Sequence, residues 1–516
     1  MSARRQNVIA AVVGIVSAIV TLGVAEVVAL VVAAASSPLI AVGSFVIDIV
    51  PPWVKDAAIQ LFGTGDKIAL LVGLGLLVAI LAAVVGILEY RRPPAGAIGL
   101  GAVGLIAMIS AGTRAEATIF WALPTLVGAA LGVLVLRIGI RRLRNWQEAP
   151  MSSPRAQALS RRGFVGFVAA SGGAAVVAGL AARAANATSG AVNTVREALH
   201  LPAPAVAAPP VPAGAELDIE GISSLFTRNF DFYRIDTAIV VPRVTTAEWK
   251  LRIVGMVENE VEIDFDELLA LPLIETDVTL SCVSNEVGGG LIGNARWMGY
   301  PIRELLARAK PTAGADMVLS RSIDGFTAST PLEVLQDENR DSILAVSMNG
   351  DPLPLEHGFP VRMVVPGLYG YVSATKWVTE LKVTRFDDDE GYWTPRGWSA
   401  RGPIKMSSRI DVPYYTELVP LKPLAIAGVA WAPHTGIQAV EVRIDKGDWM
   451  PAKLATAVSA DTWVQWSLQW TPPEPKVYLI EVRATDKTGF VQSEDRIQPA
   501  PDGSEGWHAI TIEATA

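Results

Sequence analysis

Residues 348–377 read MNGDPLPLEHGFPVRMVVPGLYGYVSATKW, and this stretch sets the character of the soluble part of the chain. Val361–Val365 is a short, β-branched apolar run with a single charge, Arg362, set inside it. A strand at a water-facing surface alternates apolar and polar residues, but Met363–Val365 is apolar on both faces, so the run reads as buried and its one charge needs a partner. Trp377–Val383 is a second such run, and Trp249–Val254 and Thr276–Leu280 are upstream examples. Between them, Asp264–Leu269 and Ile302–Ala307 have the acidic starts and apolar spacing of short amphipathic helices. The pattern predicts an α+β region dominated by strands over residues 215–411.

Within that region lies Cys282, the chain's one cysteine, in the run TLSCVSNEVGGG at 279–290. One cysteine excludes an intrachain disulfide. A lone cysteine is most often an inert buried thiol. This one ends a strand and enters a polar, glycine-rich loop, where ligands approach backbone closely. A thiolate in that position is a soft ligand suited to a soft metal.

The remainder of the 516 residues exceeds one hydrophobic core. Hydrophobic residues make up 51% and mean hydropathy is +0.37, with the excess concentrated at the N-terminus. Asn7–Ala33, Ile68–Leu88, Ala95–Gly112 and Thr118–Ile140 are apolar runs long enough to cross a bilayer, which takes ~20 residues. Arg4 and Arg5, then Arg91 and Arg92, then Arg141, Arg142 and Arg144 flank them, and all three clusters fall on the cytoplasmic side if four helices span with the N-terminus inside. Pro38–Phe62, broken by Asp48, Pro51, Pro52, Lys55 and Asp56, reads as interfacial or re-entrant. Glu26 stands as the lone ionisable residue inside a span. None of the four histidines lies in this region, so no membrane haem is expected.

These observations define residues 1–145 as a transmembrane domain with four spanning helices. A fifth helix at 160–185 opens with Ser160-Arg161-Arg162-Gly163-Phe164-Val165. That opening is either a positive flank or a twin-arginine export signal inside the chain. Either way the helix runs outward and leaves everything beyond about residue 185 outside the cytoplasm. Residues 186–214, with LPAPAVAAPPVPAG at 201–214, form a Pro/Ala-rich linker expected to be extended. Residues 412–516 alternate apolar and polar positions with frequent turns, which predicts a β-sandwich. Six tryptophans are spread along them, from Trp431 to Trp507, and are expected to be core rather than ligand-binding. The formal net charge of -8 gives no basic footprint for nucleic acid.

Taken in order, Phe232–Asp236, the cysteine loop, Gly293–Trp297, the 348–367 run and Lys376-Trp377 resemble the sulfite oxidase family of molybdopterin-dependent oxidoreductases, over about Phe230–Pro413. The resemblance implies a sulfite-oxidase-fold catalytic domain followed by an immunoglobulin-like dimerisation domain. It implies a molybdenum ion held by one pterin dithiolene and by Cys282. Phe232, Tyr233 and Arg234 match the family's first cofactor loop, and Asp236 stands where its histidine often lies. Asp324 matches an acidic cofactor contact, although Ile-Asp-Gly is equally a turn sequence. His357 and Arg362 match the HGFPVR run, and Ala374, Thr375 and Lys376 match the last cofactor contacts. His357, Arg362 and Lys376 suit the pterin's anionic phosphate. Arg234, as a catalytic residue beside Cys282, would orient substrate.

Two departures bear on substrate. The family's arginine five positions past the cysteine is Val287 here, and its active-site tyrosine is Phe326. Arg296 either compensates or braces the fold. The expectation is therefore a multi-pass membrane enzyme with its catalytic domain outside the cytoplasm, transferring oxygen to or from a small sulfur oxyanion or related substrate. Alternatives are a sulfoxide-type reductase of the same fold and a non-catalytic envelope module. Its expected partners are the bilayer, a quinone or cytochrome taking electrons, and a second copy in a homodimer.

Overall fold

The computed structural model describes residues 2–51, 54, 61–62, 66–114, 117–149, 153–188 and 190–515. The chain divides into two compact units, Met1–Gly190 with Ala238–Val241, and Ala191–Thr237 with Pro242–Ala516.

The first unit is helical: α1 (Ala3–Val32), α2 (Pro38–Ile49), α3 (Asp66–Arg91), α4 (Ala95–Gly112), α5 (Leu123–Glu148) and α6 (Pro154–Thr188). Among the described residues five helices, all but α2, are long and apolar enough to cross a membrane. They cover most of the five runs expected from the sequence. At 1.5 Å per residue α2 reaches only about 18 Å, short of a ~30 Å hydrocarbon core. Pro52, Lys55 and Asp56, which the sequence reading placed in the same interfacial stretch, lie outside the described residues.

Helix α1 packs against α3, α5 and α6. Small residues permit the approach: Gly14 lies against the Ala82 carbonyl and Gly86 against that of Ala10, so close that a Cβ on either glycine would collide with backbone. In a lipid-facing bundle such small-residue contacts supply packing that the hydrophobic effect cannot. Outward-facing residues such as Leu76, Ile80, Ile98, Ile106 and Val177 are exposed and apolar. Glu26, expected to stand alone, is partnered. Its carboxylate accepts from Ser37 Oγ at 2.7 Å and lies 3.6 Å from Arg183 of α6. Arg183 falls just past the apolar run and Ser37 lies in the following connection, so neither was visible as a partner. Glu89 is also turned inward, accepting from the Ala97 amide at 2.9 Å, with Arg137 at 3.9 Å.

The second unit begins with α7 (Gly190–Ala198), followed by the proline-rich segment. That segment is extended, as proline dictates, but it does not hang free. The Ala205 amide donates to Leu273 O at 2.7 Å, the Glu275 amide to Val206 O at 2.9 Å, and Thr456 Oγ1 to Ala213 O at 3.1 Å.

The strands of the catalytic region are β1 (Lys250–Gly255), β2 (Val261–Asp264), β3 (Ile274–Ser281), β4 (Ile292–Pro301), β5 (Met317–Ser322), β6 (Thr327–Pro331), β7 (Ile343–Met348), β8 (Asp351–Pro352), β9 (Arg362–Val364) and β10 (Val378–Thr384). One sheet has the order β2-β1-β10-β5-β6, and another runs β3-β4-β7-β8 with β9 added on β7. The helices read from sequence form as α8 (Phe265–Ala270) and α9 (Ile302–Ala309). Asp264 caps α8 in a reciprocal box with Glu267. Trp249, Phe265, Leu268, Val361 and Val378 lie in the common core.

Beyond Gly402 the chain forms β11 (Ser407–Val412), β12 (Leu418–Pro420), β13 (Leu424–Trp431), β14 (Ile437–Ile444), β15 (Met450–Pro451), β16 (Lys453–Leu454), β17 (Val464–Trp470), β18 (Val477–Asp486) and β19 (His508–Thr515). Sheets β11-β13-β17-β16 and β12-β19-β18-β14-β15 bury Ile426, Val442, Trp466, Ile480 and Ile512 between them. Strand β11 pairs with β13, so residues 407–411 belong to this sandwich. Among the tryptophans, Trp466 is sandwich core, while Trp431 and Trp463 join the catalytic core. Trp449 and Trp507 are half-buried and instead stack with Arg443 at 4.8 and 4.7 Å.

Candidate functional site

Cys282 directly follows β3 and is buried, at 9% exposure. The loop it opens is closed by hydrogen bonds within itself. The Cys282 amide donates to Leu291 O at 2.9 Å, the Asn285 amide to Cys282 O at 3.0 Å, and the Leu291 amide to Asn285 Oδ1 at 2.8 Å. Burial pushes the thiol pKa up, against hydrogen bonds from Ser284 that pull it down. A buried thiol without a metal is a poor nucleophile, and a metal ion would invert that balance by deprotonating it outright.

Two phenols sense Cys282. Tyr233 and Tyr369 are each pushed well above the usual tyrosine range, chiefly by burial, and a charge on the Cys282 thiolate adds to the effect. Tyr233 also feels the Arg362 charge, which acts in the opposite direction. Its neighbour Phe232 is held by a stacked contact to Tyr233 at 5.3 Å and by edge contacts to Trp297 at 5.8 Å and His357 at 5.6 Å. The first cofactor-loop residues and the HGFPVR segment, more than a hundred positions apart, thereby share one cluster.

Arg362 on β9 is 5% exposed. Among the described residues its hydrogen bonds go to carbonyls: His357 O at 3.3 Å, Met363 O at 3.3 Å and Ala374 O at 3.4 Å. The guanidinium lies over the Trp297 indole, 5.0 Å from a ring centroid. Among the described residues no carboxylate pairs with it, and burial pushes its pKa down to about 10. A buried cation without a counter-ion is costly unless an anion fills the place.

Lys376 is also enclosed, and burial pushes its pKa down to about 8 although Asp236 opposes the shift. Its ammonium donates to Asp236 Oδ2 at 2.7 Å and to Glu356 O at 3.0 Å. Arg234 donates to the same Asp236 oxygen at 2.9 Å, so Asp236 bridges two cations. Arg234 is partly exposed, at 38% of its side chain, and lies within electrostatic reach of His357 and Lys376. No described contact brings it to Cys282, so the geometry groups Arg234 with the cofactor cations.

His357 is buried with its Nε2 3.0 Å from Asn229 O. A carbonyl only accepts, so Nε2 carries the hydrogen. Burial, then Arg362, pushes the imidazole pKa down to about 4, and the ring is neutral at physiological pH. His357 therefore ties the 228–236 loop in place and contributes no positive charge. Ala374 donates its amide to Gly370 O at 3.0 Å, and Thr375 Oγ1 shares a 2.7 Å bond with Ser320 Oγ. Asp324 sits in the exposed turn between β5 and β6, accepting from the Phe326 amide at 3.2 Å, within electrostatic reach of Asp236 and Lys376. It is both the turn residue and a neighbour of the cationic cluster.

Arg296, left open by the sequence, is committed elsewhere. It grips Asp277 with two bonds at 2.8 and 2.9 Å and stacks on Phe226. Two contributors were missed. Trp297, which closes the Gly293–Trp297 motif, carries both Arg362 and Phe232. Tyr369 stands immediately before the Gly370–Lys376 turn, which was the available signal.

Residues 238–393 match the family described as Oxidoreductase molybdopterin binding domain. That range contains Cys282, Asp324, His357, Arg362 and Ala374–Lys376, while Phe232–Asp236 lie just before it. The chain is 32% identical over 155 residues to the uncharacterized oxidoreductase YuiH of Bacillus subtilis (strain 168), covering 30% of this chain and 74% of that protein. The chain belongs to the molybdopterin-binding oxidoreductases. Among other members it is 28% identical over 339 residues to mitochondrial sulfite oxidase of Mus musculus, covering 56% of this chain. The chain spans 60% of the length of that relative. The sulfane dehydrogenase SoxCD from Paracoccus pantotrophus aligns with a TM-score of 0.49 at 23% identity, over 56% of this chain and 82% of that one.

Proposed function

We propose that the chain is a membrane-anchored molybdenum–pterin oxidoreductase of the sulfite oxidase type, with its catalytic domain outside the cytoplasm. The observation that carries this reading is the enclosed cation Arg362, stacked on the Trp297 ring that also holds Phe232, with no carboxylate paired to it among the described residues. Arg362 and Lys376 would hold the anionic end of the pterin. Phe232, Tyr233, Arg234, Asp236, Asp324, His357, Ala374 and Thr375 would line its path, and Cys282 would ligate the metal. When bound, this group supplies two-electron redox chemistry and oxygen-atom transfer. The protein's own contribution is to bind, orient and enclose. Electrons would pass to a quinone or cytochrome, and the C-terminal sandwich, immunoglobulin-like in this reading, would support a homodimer.

The departures at Val287 and Phe326 favour a substrate of low charge. Val287, buried at 8% exposure, brings no cation to the cysteine loop, and Arg296 is occupied by Asp277. A sulfoxide-type reductase is the second reading, favoured by these departures. Each missing charge-assisted bond is worth about 1.5–3 kcal/mol, or roughly ten- to a hundred-fold in affinity. Sulfite should therefore bind weakly, and Val287→Arg should strengthen its binding by that factor while leaving sulfoxide turnover unimproved. Steady-state kinetics on both proteins test this. Saturation of the unaltered enzyme at micromolar sulfite, with no gain from the arginine, would reject the low-charge pocket.

Export supplies a second test. The pterin is inserted before export in this reading, so the catalytic domain crosses the membrane folded. Arg161→Lys with Arg162→Lys preserves charge but spoils a twin-arginine signal. The expected outcome is a catalytic domain protected from external protease in spheroplasts. Unchanged protease access would reduce the pair to a positive flank.

A further inference from the structure

The cysteine loop is closed by hydrogen bonds within itself, yet its outward carbonyls are taken by the C-terminal sandwich. Arg409 of β11 is the centre of this contact. Its Nη1 donates to Gly289 O at 2.8 Å, its Nε to Asp411 Oδ1 at 2.7 Å, and its Nη2 to Ser223 Oγ at 2.7 Å. Asp411 in turn accepts from the Ser223 amide at 2.9 Å. Arg409 and Asp411 are nearly enclosed, with side chains 12% and 8% exposed. One guanidinium therefore joins the sandwich, the cysteine loop and the segment that leads into Phe232.

Three further contacts act on the same element. Ser504 Oγ donates to Asn285 O at 2.6 Å. The His508 ring lies against Gly288, whose φ is +81° and where a Cβ would collide with the imidazole. The ring is fixed in that pose because its Nδ1 accepts from the Ile410 amide at 3.0 Å. On the strand that delivers Cys282, the Trp463 amide donates to Thr279 Oγ1 at 2.8 Å and the Thr279 amide to Asp461 O at 2.9 Å.

We infer that the sandwich sets the geometry of the Cys282 loop, with Arg409 as its main positioning residue and Ser504 and His508 in support. This rests on Cys282 being the metal ligand. A rigid ligand loop keeps the thiolate in place whether or not the cofactor is present, because outer partners orient the groups that bind a metal. Loss of the sandwich contacts should let the loop open locally while the rest of the unit remains folded.

Because Cys282 is the chain's one cysteine, a thiol reagent reports on this loop alone. The test uses the full chain in detergent, prepared both with the cofactor and from a host that makes no pterin. In the cofactor-free chain, Arg409→Ala should accelerate maleimide labelling of Cys282 about tenfold, the consequence of losing a bond to a charged group. Arg409→Lys, which keeps the charge but lacks the fork, should fall between that and the unaltered chain. Lys476→Ala is the control: it removes an exposed sandwich cation paired with Asp445 at 3.2 Å, at the far end of β18 from the Val482–His508 pairing, and should leave the labelling rate unchanged. Ser504→Ala, a milder change, should give a smaller acceleration and serves if Arg409→Ala does not fold. Equal labelling of Arg409→Ala and the unaltered chain, or an acceleration matched by Lys476→Ala, would overturn the inference. The cofactor-loaded chain separates the two claims. If loading gives Cys282 no protection, the ligand assignment fails, whatever the Arg409 comparison gives.

Discussion

Replacing Cys282 with serine is expected to abolish turnover and leave the fold standing. The side chain is small, buried and placed where a strand ends, so exchanging sulfur for oxygen removes little packing. A stability change of about 1 kcal/mol is expected from such a substitution. The chemical effect is far larger. A hydroxyl is harder and far less acidic than a thiol, so it replaces a thiolate poorly at a soft metal. Loss of a direct ligand should exceed the roughly 10–100-fold cost of removing an outer partner. Thermal unfolding in detergent, set beside turnover of the same preparation, separates the two effects. Residual activity near that of the unaltered enzyme would reject Cys282 as a ligand.

Arg362→Met should produce the second large effect, and with opposite signs on stability and loading. In the cofactor-free chain the guanidinium is buried with no carboxylate paired to it among the described residues, and its pKa is pushed down to about 10 by burial. A cation whose folded pKa lies below its unfolded value destabilises the fold at every pH below about 10. That cost fades only as the pH rises from there toward the higher, unfolded value. Methionine fills similar space over the Trp297 ring without the charge. The cofactor-free chain should therefore become more stable at neutral pH, by roughly 1 kcal/mol or more. Pterin retention should fall by at least ten- to a hundred-fold, because a charge-assisted contact of about 1.5–3 kcal/mol is gone. Release of the oxidised, fluorescent pterin on denaturation measures the second effect, and the melting temperature of the cofactor-free chain measures the first. A variant that is destabilised and yet fully loaded would contradict the role given to Arg362.

Much of this arrangement was legible in the sequence because it is local. Five apolar runs became five helices, and the acidic starts at Asp264 and Ile302 became α8 and α9. Arg362 looked buried because its sequence neighbours are apolar, and it is. What the sequence could not display depends on distant partners. Glu26 looked unpaired because Ser37 and Arg183 lie eleven and more residues along the chain. His357 looked like a phosphate ligand, and nothing in the sequence signals that its Nε2 meets the Asn229 carbonyl or that burial pushes its pKa down to about 4. Arg296 could compensate or brace the fold as far as the sequence went, and Asp277, opposite it on the neighbouring strand, occupies it as a brace. The proline-rich segment has no periodicity to suggest docking, yet its backbone is held at Leu273 and Glu275. In each case composition described the residue, and packing assigned its task.

The central claim, a molybdenum ion held by Cys282 beside a pterin anchored at Arg362, is tested most directly by molybdenum X-ray absorption. Spectra should be taken on the purified full chain and on Cys282→Ser, each normalised to its molybdenum content. The prediction is one fewer sulfur in the metal's first coordination sphere in the serine variant, with the pterin sulfurs retained. An identical sulfur shell in the two proteins, or a purified chain with pterin but no molybdenum signal, would contradict it.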